Sequence, residues 1–218
     1  MKQKDIPLKE KRRIKILKIL EDTYPTAKVA LNFSNPLEVL VATILSAQCT
    51  DKRVNIVTQE LFKKYKTPED YANSDIKELE SDIKTTGFYR VKSRNIRNAC
   101  KMIVEKFNSK VPKTMEELTT LPGVGRKTAN IVLSNAYGIV VGIAVDTHVA
   151  RVSKRLGLTK WDDPDKIEQD LMRIIPKELW FYFAYRTIEH GRNICMARRP
   201  LCARCSLNKV CPSAFKFD

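Results

Sequence analysis

Four cysteines near the end of the chain, Cys195, Cys202, Cys205 and Cys211, read C-x6-C-x2-C-x5-C within 17 residues. Thiolates at that density hold either a tetrahedral zinc ion or a cubane iron–sulfur cluster, and residue type alone does not separate the two. Four unrelated buried cysteines are the plainer alternative, which their crowding argues against. Cys49 and Cys100 stand singly in apolar helical stretches and are expected to be core residues. Around the four lie Arg192, Arg198, Arg199, Arg204 and Lys209. These cations can offset a cluster's negative charge or present a rigid basic surface to phosphates, and we read both roles.

A second reactive pattern is Leu121-Pro122-Gly123-Val124-Gly125-Arg126-Lys127-Thr128-Ala129. Glycines at alternate positions allow a tight turn and let a phosphate reach bare backbone N–H groups where the next helix starts. Such a contact binds the DNA backbone without reading sequence. An αα-hairpin that merely connects two helices is the bland reading; the proline, Arg126-Lys127 and the basic charge of the chain outweigh it. Lys127 falls in the first turn of that helix, whose partial positive charge favours the neutral, nucleophilic form of an amine. Most helical lysines are only solvated decoration. Nineteen residues on, Val145-Asp146-Thr147-His148 follows an apolar run. Asp146 is placed to cap the next helix, and the spacing also permits it to face the hairpin lysine.

The elements that must position these groups are helical. Ile14, Leu17, Ile19 and Leu20 lie near one face of a basic first helix ending before Tyr24-Pro25. Asn35-Pro36 reads as a cap with proline at the first helical position, opening Leu37–Ala47. Asp51 can cap a third helix through Tyr65. Two shorter helices are punctuated by Pro68, Ser74 and Gly87, and a long one from about Arg90 to Phe107 carries Ile96, Cys100, Ile103 and Val104 on its apolar stripe. Helices are expected at Thr114–Thr120, Val124–Tyr137, Thr147–Leu156, Pro164–Ile175 (capped by Asp163) and Lys177–His190. Ile139–Val145 is the one candidate strand, and no repeat is evident. The fold class is all-α.

The 218 residues can bury a sizeable core, and 43% hydrophobic with 30% charged residues reads as an ordinary globular chain rather than a disordered one. Forty Lys and Arg against 25 Asp and Glu leave a net charge of +15, a field that attracts polyanions, nucleic acid first. The basic N-terminal run lacks an uninterrupted apolar segment and a small-residue cleavage site, so it is not read as a secretory signal. The longest apolar stretches, near Leu37–Leu45 and Ile139–Val145, fall short of a membrane span. A cytoplasmic, nucleoid-associated protein with reduced thiols is expected, which disfavours a disulfide framework.

LPGVGRKTAN, then VDTH, then HGRNIC and the cysteine tail, with LSAQCTD (Leu45–Asp51) and TTGFYRVKSRNI (Thr85–Ile96) upstream, closely resemble the endonuclease III family. Its members are bifunctional DNA glycosylases of the helix-hairpin-helix, Gly/Pro-Asp superfamily, and the likeness runs from Leu37 to Cys211. The resemblance implies two helical domains flanking a DNA-binding cleft. One is a six-helix barrel over 29–140, with the helix-hairpin-helix near 114–137. The other joins 1–28 to 141–218 and ends in an iron–sulfur cluster loop over 195–211. It further implies a [4Fe-4S] cluster on Cys195, Cys202, Cys205 and Cys211, with a monovalent cation often bound at the hairpin.

By the same resemblance the chain removes oxidised pyrimidines from duplex DNA. Lys127 attacks C1′ of the flipped-out damaged nucleotide, and the Schiff base permits β-elimination 3′ to the abasic site. Asp146 accepts a proton or stabilises positive charge on the sugar. Gly123, Gly125 and Arg126 contact DNA; Gln48 fills the gap left by the flipped base; Phe88 is a second wedge where relatives commonly carry leucine, with Lys92 and Arg94 able to hold flanking phosphates. As plain alternatives, Gln48 is a buried polar residue and Phe88 a core residue. Damaged or abasic duplex DNA is the expected partner, bound by a monomer without a membrane. Two competing functions are a monofunctional mismatch glycosylase and a non-catalytic DNA-binding module. Adenine-removing relatives have serine in place of Lys127 and glutamate in place of Thr43, and thymine-mismatch relatives have tyrosine in place of Lys127, so this chain matches neither.

Overall fold

The computed structural model describes residues 8–216; residues 1–7 and 217–218, which the sequence reading placed in the discontinuous domain, lie outside the described part. Among the described residues the α-helices are α1 (Leu8–Thr23), α2 (Pro36–Leu45), α3 (Asp51–Lys64), α4 (Pro68–Ala72), α5 (Ile76–Asp82), α6 (Tyr89–Lys106), α7 (Met115–Thr120), α8 (Arg126–Tyr137), α9 (Thr147–Arg155), α10 (Pro164–Ile174) and α11 (Trp180–Asn193). Single turns of 3₁₀ helix occur at Lys84–Thr86, Lys177–Leu179, Cys202–Arg204 and Asn208–Val210. The expected strand over Ile139–Val145 does not form. Ile143, Ala144 and Val145 are buried, but a strand needs a second strand for its N–H and C=O groups, and no strand is present among the described residues.

The described residues fold as two compact units, 29–141 and 8–28 together with 142–216. In the first, α2 buries Leu37, Val39, Leu40, Val41, Ala42, Thr43, Ile44 and Leu45. A helix apolar nearly all round belongs at the centre, and α2 packs against α3, α6 and α8. Its start follows the sequence: Asn35 Oδ1 accepts the Glu38 N–H at 3.0 Å, with Pro36 as the first helical residue. The cap of α3 is Thr50 rather than Asp51; Thr50 Oγ1 accepts the Arg53 N–H at 3.3 Å, and Asp51 becomes the first-turn acid that complements the helix dipole. Cys49 lies half-exposed in the turn after α2, not in a helix, whereas Cys100 is buried on α6.

α6 packs against α4 and α5, and α7 against α8. Its buried stripe comprises Lys92, Ser93, Ile96, Ala99, Cys100 and Ile103. Between α7 and α8 the chain turns through Leu121–Gly125, so α8 starts at Arg126, two residues later than the periodicity suggested. Gly138, at φ +66°, ends α8 with its N–H on the Leu133 carbonyl.

In the second unit α11 packs against α1 and α9. Among the described side chains of α1 the buried ones are Ile16 and Leu20, one turn apart, while Ile14 is 48% exposed, two residues off that face. Arg186 of α11 reaches Glu21 of α1 at 3.3 Å, and Trp180 Nε1 donates to the Ile175 carbonyl at 2.9 Å, anchoring the start of α11. No helix among the described residues is long and apolar enough to cross a membrane.

Candidate active site and DNA interface

The hairpin between α7 and α8 is shaped by its two glycines in different ways. Gly123 has φ +80°, and a Cβ there would lie 2.8 Å from Asn95 Nδ2 and 2.9 Å from Asn95 Cβ, so both backbone and packing demand glycine. Gly125 has φ −94° and ψ 178°, an ordinary extended conformation, and a Cβ there would meet nothing within 4 Å. The fold therefore gives no steric reason for glycine at 125. As the N-cap of α8 it has no side chain with which to accept a capping hydrogen bond. Gly123, Gly125, Arg126 and Lys127 are all exposed, and Lys127 is the second residue of α8. The turn is held from inside: the Val124 N–H donates to the Leu121 carbonyl at 3.1 Å, and Leu121 and Val124 are buried.

Two further candidates in the same unit have unusual backbones. Gln48 (φ +51°) sits exposed in the turn after α2, and Phe88 (φ +49°, ψ 26°) is 63% exposed at the N-cap of α6. Neither is a core residue, which removes both plain alternatives. Left-handed backbone at a non-glycine residue costs of order 1 kcal/mol or more and persists where the surroundings over-determine it.

Lys92 corrects an expectation. It is 3% exposed, and its Nζ donates to the carbonyls of Leu45 at 2.7 Å and Thr86 at 2.8 Å, so it is not placed to hold a phosphate. Burial lowers its pKa. Arg94 is exposed.

In the other unit Asp146 is the N-cap of α9, its Oδ1 accepting the N–H groups of His148 and Val149, each at 2.8 Å. The capping role read from the sequence is therefore present. It also fixes the carboxylate's orientation, and Asp146 remains partly exposed. His148 Nδ1 lies 3.1 Å from Arg151 Nη2. Gly191 lets α11 approach α9, since a Cβ there would stand 3.0 Å from His148 Cβ.

The four C-terminal cysteines line one cavity with Val152, Leu156, His190 and Leu207. No three His, Cys, Asp or Glu side chains among the described residues converge closely enough to hold a single ion. Cys195, Cys202, Cys205 and Cys211 nonetheless all border this one cavity. Arg155 Nη1 donates to Cys195 Sγ at 3.3 Å and to the Met196 carbonyl at 2.6 Å, stapling the loop to α9. His190 Nε2 is 3.5 Å from Cys205 Sγ and its Nδ1 is 3.0 Å from the Tyr24 hydroxyl. Burial pushes the His190 pKa down to about 4, so the ring is neutral near pH 7. Arg192, Arg198, Arg199, Arg204 and Lys209 are exposed. Sequence reasoning did not find Lys92, Asn95, Arg155 or the Tyr24–His190 pair as supports of these sites.

Residues 41–177 match the family of HhH-GPD superfamily base excision DNA repair proteins. Endonuclease III of Synechocystis sp. is 54% identical over 206 residues, covering 94% of each chain. The Bacillus subtilis protein of that name is 52% identical, covering 90% of each, and that of Escherichia coli 38%, covering 95% of this chain and 98% of its own. The chain belongs to the endonuclease III family. A solved non-covalent endonuclease III–DNA complex superposes with a TM-score of 0.92 at 48% identity, covering 96% of this chain and 98% of that one. A trapped endonuclease III–DNA covalent intermediate gives the same score and identity. A thermostable thymine-DNA glycosylase, at 22% identity and a TM-score of 0.86, shares the fold.

Within an endonuclease III frame the two hairpin glycines make a separable prediction. Gly125→Ala should change stability by less than about 1 kcal/mol, because its backbone suits alanine and nothing is displaced. If the start of α8 receives a backbone phosphate, the substitution should weaken binding to an abasic duplex by about tenfold, since a methyl group then stands beside the N–H groups that the phosphate would approach. Thermal melting and fluorescence anisotropy check the two halves; unchanged affinity would move the phosphate contact elsewhere.

Proposed function

We propose that this chain excises oxidised pyrimidines from duplex DNA through a Schiff base on Lys127, then cleaves the strand 3′ to the abasic site. The damaged nucleotide is rotated out of the stack. The lone pair of the Lys127 amine attacks C1′, the bond from C1′ to the base breaks, and the base leaves with a proton. Opening of the sugar ring gives a protonated imine. Loss of a C2′ proton then expels the 3′ phosphate by β-elimination, and water releases the amine. Asp146 takes up a proton or stabilises the cationic sugar, a gain that belongs to the transition state. Gly123, Gly125 and Arg126 hold backbone phosphate at the N-terminus of α8, and Gln48 and Phe88 occupy the space vacated in the duplex. The observation that carries this reading is the exposed Lys127 beside a helix start whose N-cap is glycine, in a chain of this family.

Single-turnover assays on duplexes with one oxidised pyrimidine, uracil or a mismatch test it. Oxidised pyrimidines should be excised and the strand nicked without alkali. Base release that leaves an intact abasic strand would favour a monofunctional glycosylase, which lacks the lysine chemistry. Thr43, where an adenine-removing relative would carry a carboxylate, is buried and donates its hydroxyl to the Val39 carbonyl at 2.6 Å. A cytoplasmic, nucleoid-associated location goes with this substrate.

Cys195, Cys202, Cys205 and Cys211 would hold a [4Fe-4S] cluster. Four thiols that border one cavity form a donor set suited to an iron–sulfur cube or to zinc, and the family resemblance supports the cube. The cluster would cross-link the loop that presents Arg198, Arg199, Arg204 and Lys209, leaving the chemistry to the hairpin. Purified protein should be brown, absorb near about 400 nm and contain about four irons per chain. Colourless, active protein with stoichiometric zinc would refute this. A monovalent cation at the hairpin remains part of the proposal through the family resemblance alone.

A further inference from the structure

Lys92 is an ammonium group buried with carbonyls as its partners, an arrangement that needs a reason because desolvating a cation is costly. Its two acceptors supply one. Leu45 is the last residue of α2, three positions before Gln48, and Thr86 closes the 3₁₀ turn two positions before Phe88. The terminal carbonyls of a helix lack intrahelical donors, and a cation there also complements the dipole. Lys92 itself lies in the first turns of α6, with its N–H on the Phe88 carbonyl at 3.0 Å. One side chain thus ties together the starts of two turns, each with an exposed non-glycine residue in left-handed backbone, Gln48 at +51° and Phe88 at +49°. Such conformations persist when the surroundings over-determine them. Farther along α6, Asn95 packs under Gly123 of the hairpin.

We propose that Lys92 is a positioning residue that fixes the Gln48 turn and the Phe88 turn at one spacing, so that both enter the duplex at the same step. This rests on the reading of Gln48 and Phe88 as the residues that fill the opened duplex. Its function is specific to paired DNA: a lesion in a single strand has little stacking to break and no partner base to hold apart.

The test compares excision of one lesion in paired duplex and in single-stranded DNA under single-turnover conditions. Each preparation is normalised to the fraction that borohydride traps on a single-stranded abasic oligonucleotide. Lys92→Met should slow the duplex reaction by about tenfold or more and leave the single-strand reaction within about twofold. Adding Phe88→Ala to Lys92→Met should cost much less than Phe88→Ala costs in the wild type, since the two act on one element. If Lys92→Met yields too little folded protein, Lys92→Gln, which keeps a polar end but not the reach, makes the same comparison. Equal losses on both substrates, or full additivity with Phe88→Ala, would reduce Lys92 to a residue of general stability. The underlying reading fails separately: Phe88→Ala and Gln48→Ala alone would then show no duplex-selective loss. If they show that loss and Lys92→Met does not, the positioning role alone is wrong.

Discussion

Replacing Lys127 with glutamine is expected to lower excision of an oxidised pyrimidine by on the order of 10³-fold or more and to eliminate borohydride trapping, while stability and DNA affinity change little. The size follows from losing the nucleophile outright, since the remaining binding and electrostatic groups cannot replace a covalent step. The small effect on folding follows from location. Lys127 is exposed at the second position of α8, its side chain makes no ion pair or hydrogen bond among the described residues, and glutamine is a good helix former. Single-turnover rates, trapping yield, thermal melting and anisotropy on an abasic duplex check the four parts. Undiminished trapping in the variant would transfer the Schiff base to another amine.

Asp146→Asn is expected to lower turnover by about 10²- to 10³-fold, in the range for removing one electrostatic contributor to a transition state. Its melting temperature should stay close to wild type. Asp146 caps α9 through Oδ1, and asparagine is as good an N-cap as aspartate, so the substitution removes the charge while keeping the hydrogen bonds to His148 and Val149. Asp146→Ala separates the roles: it should lose the same activity and, in addition, about 1 kcal/mol of stability with the cap. If Asp146→Asn keeps full activity and Asp146→Ala merely lowers the melting temperature, the carboxylate is a cap and nothing more.

Much of this was legible in the sequence wherever one local rule acted alone. Asn35-Pro36, Asp163 and the Ile96, Cys100 and Ile103 stripe of α6 announce their helices through capping oxygens and periodicity, and each is found where those rules put it, although Val104 on the same expected stripe is only half-buried. The hairpin was visible because Gly123 and Gly125 interrupt two helical patterns, although only the structure separates a glycine required by Asn95 from one the fold does not require. Errors arose where two local signals competed or a tertiary partner decided. Thr50 and Asp51 are both capping residues, and the one with extended backbone became the cap. Ile139–Val145 has strand composition but no strand to pair with among the described residues. Lys92 was read as a phosphate contact because lysine is usually exposed. Yet it stands four residues before Ile96 and eleven before Ile103, in register with the buried face, and that spacing was the available signal. No pattern in the sequence could show that its ammonium meets the carbonyls of Leu45 and Thr86, 47 and 6 residues away.

The most direct test of the central claim is to locate the covalent bond. The protein is incubated with a duplex carrying one oxidised pyrimidine, reduced with borohydride, digested with protease and nuclease, and the nucleotide-bearing peptide is sequenced by mass spectrometry. The account predicts a single modified residue, Lys127, within the peptide that spans Gly125-Arg126-Lys127-Thr128. A sugar remnant on a different lysine or on the N-terminal amine, with Lys127 unmodified, would contradict it.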